Sequence, residues 1–233
     1  MGYEARTMEY LRSQGYPVPA VEELSEDGTD LVMERIDGPS MLEALGRAPW
    51  TVRHQARVLA DLHQRLHDIR PPAFLIRAPI ASTGDRILHL DLHPLNVIIG
   101  PNGPVVIDWA NACTGDPAID VTLAWVLISA GEIPGGRLRA AILGWGRSLL
   151  LSSFTAPFDR DEIIQWARPV VSWKVGDPHM SAAEVAAMWR AVETAEGRAR
   201  RQLRGRRVTP RADAEFGQAK SSSRCSDSTP RRM

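Results

Sequence analysis

The chain has 233 residues, 44% of them hydrophobic, which is enough for one large domain or two small lobes around a buried core. Its 28 basic and 28 acidic residues cancel, so a partner held by whole-protein charge, such as DNA or an anionic membrane, is not expected. The two cysteines, Cys113 and Cys225, stand far apart in no ligand spacing and mark neither a disulfide framework nor a zinc site; a reducing, cytoplasmic setting is expected.

The start, Met1 to Glu4, carries no apolar signal core, and the most apolar run, Val121 to Ala130, is too short to cross a bilayer, so no membrane association is expected. Residues 4–14 place Ala5, Met8 and Leu11 at helical spacing, and Gly15 and Pro17 end that helix. Ala20 to Leu24 and Asp30 to Arg35 read as two short strands around the turn Glu26-Asp27-Gly28. Asp37-Gly38-Pro39 breaks the pattern, and Ser40 caps a short helix. Thr51 to Ile69 is an amphipathic helix with Val52, Ala56, Leu59, Leu62, Leu66 and Ile69 on one face, ended by Pro71 and Pro72. Arg86 to Leu90 is a short apolar stretch entering a loop. Asn96 to Ile99 and Val105 to Asp108 alternate around Gly100-Pro101-Asn102-Gly103 and predict a β-hairpin. From Asp116 the chain turns helical over 117–130, 137–151, 161–173 and 181–204, with a capping box at Ser181 and Glu184. Residues 205–233 shift to Arg, Ser, Pro and Asp, the composition of a disordered tail.

The chemistry-bearing stretch is His89-Leu90-Asp91-Leu92-His93-Pro94-Leu95-Asn96, followed by Val106-Ile107-Asp108-Trp109. It places two acids and one amide around a single hairpin: Asp91 and Asn96 on the entering loop, Asp108 at the exit of the second strand. Such a hard oxygen set suits Mg²⁺. Phosphoryl transfer needs that set, because the metal neutralises the polyphosphate while a separate carboxylate takes the acceptor's proton.

The loop resembles the H-G-D-L-H-P-x-N loop of the aminoglycoside phosphotransferase and choline kinase family. Ile107-Asp108-Trp109 resembles that family's I-D-W/F, and Gly115-Asp116-Pro117-Ala118-Ile119-Asp120 its following G-D-P-x-x-D. Leu90 and Leu95 depart from positions where the family often has Gly. The resemblance implies Asp91 as catalytic base and Asn96 and Asp108 as ligands of Mg²⁺. It implies that Asp120 braces the loop from below, that His89 is structural, and that His93 contacts phosphate or substrate. Residues 4–19 resemble the family's αC helix and the turn after it, which matches Glu4 to the glutamate that pairs with the ATP-binding lysine. Leu31 to Gly38 resembles the hinge strand, which puts the backbone of Met33, Glu34 and Arg35 against adenine.

The fold so implied is α+β and protein-kinase-like, with a mostly helical C-lobe over 38–204 and an N-lobe remnant over 1–37. The Gly-rich loop and the lysine-bearing strand have no counterpart, since the only lysines are Lys174 and Lys220. A start codon placed late, a truncated relic and a partner that completes the lobe are the three explanations. The implied activity is ATP-dependent phosphorylation of a hydroxylated small molecule, with aminoglycosides, macrolides, choline-like alcohols and sugars all open. The competing functions are a non-catalytic pseudokinase-like binding module and a nucleic-acid binder using the seven arginines between Arg198 and Arg211. That run reads instead as a solvated helix end, so nucleic acid is not expected. His63 and His67, at i and i+4, read as packing residues. Most of the seven tryptophans read as core, and Asp159, Asp161 and Glu162 as a helix start favoured by its dipole.

Overall fold

The computed structural model describes residues 1–131, 137–178 and 180–208; side chains are described outside 137–143 and 202–208. Residues 1–197 form one compact unit, and Arg198 onward forms a second unit of which 198–208 are described. The expected tail therefore lies largely outside the described residues, and its first positions are helical as far as Val208.

The chain opens with helix α1 (Gly2–Ser13), which turns Ala5, Thr7, Met8 and Leu11 inward. Gly15 ends it at φ +75°, a left-handed conformation that suits glycine. Strands β1 (Val21–Leu24) and β2 (Leu31–Met33) pair antiparallel. Helix α2 (Met41–Arg47) begins at Ser40, whose hydroxyl accepts from the Glu43 N–H while the Glu43 carboxylate accepts from the Ser40 N–H, a complete capping box. After a 3-10 turn, Pro49–Thr51, helix α3 (Val52–Asp68) buries Val52, Ala56, Leu59, Leu62 and Leu66 of the expected stripe, together with Gln55, His63 and His67, while Ile69 falls just past the helix in extended backbone and is half-buried.

Strand β3 (Arg86–Leu88) pairs with β6 (Cys113–Gly115), and β4 (Val97–Gly100) with β5 (Gly103–Val106), both antiparallel. Strand β6 was not expected: it has only three residues and its partner is distant in sequence, so neither alternation nor a turn announces it. Helices α4 (Pro117–Ala130), α5 (Arg137–Phe154), α6 (Arg160–Lys174) and α7 (Ala182–Val208) complete the fold. The architecture is mixed α and β, with three two-stranded sheets among the described residues and a helical second half.

Helix α4 has no polar face because it is covered from several sides. Val121 and Ala124 join the main core with α3 and the hairpin, Ile119 and Leu123 meet β3 and α6, and Val126 and Ala130 meet α6 and α7. The acids at the start of α6 resolve into a cap: Asp159 accepts from the N–H groups of Asp161 and Glu162. No helix among the described residues is long and apolar enough to cross a membrane.

The N-terminal elements dock directly on the hairpin. The Val106 N–H donates to Pro17 O, Ile99 N–H to Pro39 O, and Leu42 N–H to Pro94 O. Gly38 is required here, because a Cβ at that position would collide with the Ile99 carbonyl.

Candidate active site

The loop after β3 carries Asp91, and its shape is held from below by one buried carboxylate. Asp120, in the first turn of α4, accepts from the backbone N–H of Leu90 (2.9 Å to Oδ1) and of His89 (3.1 Å to Oδ2). Its Oδ2 also meets His67 Nε2 at 3.2 Å, and the Asp120 side chain is wholly buried. Burial disfavours its charge, yet the His67 hydrogen bond and the surrounding imidazoles of His63, His67 and His89 outweigh that and hold the carboxyl well below the usual carboxylate range. His89 is itself buried and reaches Ile107 O through Nε2 at 3.1 Å, with its ring 4.5 Å from Trp109. One network thus joins α3, α4, the loop and the hairpin exit.

Leu90, immediately before Asp91, has φ +55°. A branched side chain in that region is strained by about 1–2 kcal/mol, which gives a physical reason for the glycine often found at the matching position. The buried Leu90 side chain packs with Leu88, Cys113, Ile119 and Val170. That burial is worth about 2–3 kcal/mol, so the packing offsets the strain.

Asp91 lies part-buried at the loop's surface. The Asn96 Nδ2 donates to its carbonyl at 3.0 Å and to its Oδ2 at 3.2 Å. His93 Nε2 stands 3.6 Å from Oδ1, and burial lowers the His93 pKa against the pull of Asp91. Lys174 Nζ, from the end of α6, stands 3.7 Å from the same oxygen.

Asn96 precedes β4 and Asp108 follows β5. The Ile107 N–H donates to Asn96 O at 3.1 Å, so the hairpin pairing extends one step past the strands and sets Asp108 beside the loop. Asp108 is exposed, at φ +66°, and makes no hydrogen bond among the described residues. Trp109, wholly buried, anchors this turn: its Nε1 donates to Val106 O at 3.0 Å and its ring meets Tyr16 edge to face. Glu4 is not left in solvent at the first turn of α1; its Oε1 accepts from the Trp109 N–H at 3.2 Å, next to Asp108. Met33, Glu34 and Arg35 are not drawn in. The Glu34 carboxylate accepts from the Ala20 N–H at 3.0 Å and faces Arg12, while Arg35 pairs with Asp37 on the surface. No hydrogen bond or ion pair joins these three residues to Asp91, Asn96 or Asp108 among the described residues.

Sequence reasoning missed Lys174 as a neighbour of Asp91. Lysine at the end of an amphipathic helix is an ordinary dipole-favoured choice, and no local pattern shows which loop that helix end will meet. His63 and His67 take the packing role. The His63 ring lies 5.1 Å from Phe154, and its Nδ1 meets Leu59 O, which leaves Nε2 buried without a partner. Burial pushes the His63 pKa down to about 4. A histidine neutral in the fold and protonated when unfolded contributes stability above about pH 6.5 that is lost as pH falls toward 4. Between pH 7 and 5 that loss is about 2 kcal/mol. In urea unfolding at those two pH values, His63→Phe should reduce the drop in stability by about that amount. An unchanged drop would mean that His63 is not held neutral.

Compared with curated proteins, the chain matches none. Among solved structures it is similar to an amicoumacin kinase in complex with AMP-PNP, Ca²⁺ and Ami (15% identity, 84% of this chain and 76% of that chain, TM-score 0.48). It is similar to a choline kinase from Streptococcus pneumoniae (15% identity, 83% and 79%, TM-score 0.46). It is also similar to an ethanolamine kinase from Plasmodium vivax (13% identity, 84% and 71%, TM-score 0.46). Residues 74–158 match the phosphotransferase enzyme family, APH. That segment holds the whole loop and hairpin, so the residues that carry the site are the ones similar to the phosphotransferase enzyme family.

Proposed function

We propose that this protein is an ATP-dependent phosphotransferase that moves the γ-phosphoryl group to a hydroxyl of a small molecule. The observation that carries the reading is the arrangement around the hairpin. A part-buried carboxylate, Asp91, is held by the carboxamide of Asn96, and the exposed Asp108 lies at the exit of the same hairpin, all within the family-matched segment. In this reading Asp91 receives the proton of the acceptor hydroxyl and orients that hydroxyl toward the phosphoryl group.

Asn96 and Asp108 would hold Mg²⁺. The fit rests on their chemistry and surroundings: both offer oxygen donors, Asp108 has no competing hydrogen bond, and Asn96 spends its N–H on Asp91 and keeps its oxygen. Oxygens of the substrate phosphates would complete the cation's shell. When bound, Mg²⁺-ATP supplies the activated phosphoryl group. Asp120 and His89 fix the loop, and Glu4 ties α1 to the turn at Asp108. The stretch Met33 to Arg35 would meet adenine through its backbone. The Glu34 N–H is already taken by Ala20 O, so the neighbouring backbone groups would serve. Residues 1–37 would belong to the N-lobe and 38–204 to the C-lobe of a kinase-like fold.

The test is transfer itself. The protein is incubated with γ-labelled ATP, Mg²⁺ and a panel of aminoglycosides, macrolides, choline-like alcohols and sugars. Label on a hydroxyl of at least one acceptor is expected. Nucleotide binding with no transfer to any of them would favour the non-catalytic binding module.

A further inference from the structure

The chain has two lysines, and one of them, Lys174, is buried, with its side chain 9% exposed. Lysine is rarely buried unless its ammonium is paired, because an unpaired charge away from water is strongly disfavoured. Lys174 Nζ donates to Asp177 Oδ2 at 3.0 Å and stands 3.7 Å from Asp91 Oδ1. The first distance is a hydrogen bond; the second is too long for one and is an ion pair across a gap. The Asp91 carboxylate is thus bounded by the Asn96 amide at Oδ2 and, at Oδ1, by the Lys174 ammonium and the His93 ring, whose Nε2 stands at 3.6 Å.

This ammonium arrives from outside the family-matched segment, on a helix whose seat is fixed. Val170, Trp166 and Trp173 of α6 pack with Leu88, Leu90 and Ile119 beneath the loop. Withdrawing Lys174 would require opening that cluster. A charge held rigidly beside a carboxylate constrains both its direction and its freedom to swing toward other donors, and small misplacements of a reacting group are costly to rate.

We propose that Lys174 is a positioning residue of this site: its ammonium, tethered by Asp177, fixes the Asp91 carboxylate in the direction from which it takes the acceptor's proton. The proposal rests on the reading of Asp91 as the base. A purely structural ion pair would change stability and leave turnover alone, so the test reads both.

The first arm needs no activity. The protein is reductively methylated with labelled formaldehyde, and each lysine is followed by peptide mass spectrometry. Lys174 should react at least about tenfold more slowly in the native protein than in urea. Asp91→Asn and Asp177→Asn should each speed its reaction several-fold. Equal rates in native and unfolded protein, or no effect of Asp91→Asn, would overturn the pairing.

The second arm uses an acceptor that the native protein phosphorylates. Lys174→Met should lower kcat by about 10–100-fold with the KM for ATP within about twofold, and Lys174→Arg should restore part of the loss. Should Lys174→Met unfold, Asp177→Asn carries the same test, since its side chain is 30% exposed; a drop in kcat of about 3–10-fold is expected. A folded Lys174→Met with unchanged kcat beside an inactive Asp91→Asn overturns the proposal and leaves the base standing. A fully active Asp91→Asn overturns the base and the proposal with it.

Discussion

Replacing Asp91 with Asn should lower phosphoryl transfer by about 10²–10⁴-fold while leaving the fold in place. The substitution keeps the shape of the side chain and one oxygen that can still accept from Asn96 Nδ2. It removes the negative charge and the capacity to take a proton, which the proposed chemistry needs. The position is 17% exposed at the side chain, so water can offset part of the lost charge, and melting should shift by only about 2–4 °C. The Lys174 ammonium keeps Asp177 as a partner. Rate and melting temperature measured on the same preparation separate loss of the base from loss of the fold. A variant with native kcat would show that Asp91 is not the proton acceptor.

Asp120→Ala should have the opposite signature, with a large loss of stability. Three groups converge on this carboxylate: two backbone N–H groups of the loop and the His67 imidazole, all in buried surroundings. Removing it leaves those donors without partners, and breaking such a buried network costs on the order of 3–5 kcal/mol. For a chain of this size that is a fall in melting temperature of roughly 10 °C. The strained Leu90 backbone, held by one of these hydrogen bonds, would be free to relax, so activity should fall as well. The Asp120 contribution is present above the unfolded carboxyl value near pH 4 and is lost as pH falls through its depressed folded value. Thermal melting of the two proteins at pH 7 checks the magnitude. A shift within about 2 °C would mean that the loop is held by something else.

The parts of this structure that could be read from the sequence are those with local causes. The stripe of α3 as far as Leu66, the helix cap at Ser40 and the Gly100 to Gly103 turn each follow from residues within a few positions of one another. The loop and hairpin were legible for the same reason, since antiparallel pairing over a two-residue turn sets Asn96 near Ile107 with no further information. What was not legible depends on long-range packing. Strand β6 exists because Cys113 to Gly115 pass beside β3, and three residues carry no period of their own. Glu4 meets the Trp109 N–H, and Lys174 meets Asp91, because α1 and α6 are laid against the loop by their apolar faces. The helix continues past Arg204, its expected end, to Val208, through residues that include arginine, a good helix former.

The central claim is that the hairpin is a Mg²⁺-nucleotide site, and amide NMR during titration with ATP tests it most directly. With Mg²⁺ present, the resonances of Asn96, Asp108 and Trp109 should shift progressively; without Mg²⁺ the shifts should be small, and Asp108→Ala should abolish the difference. Shifts that ignore Mg²⁺, or that survive Asp108→Ala unchanged, would contradict the account.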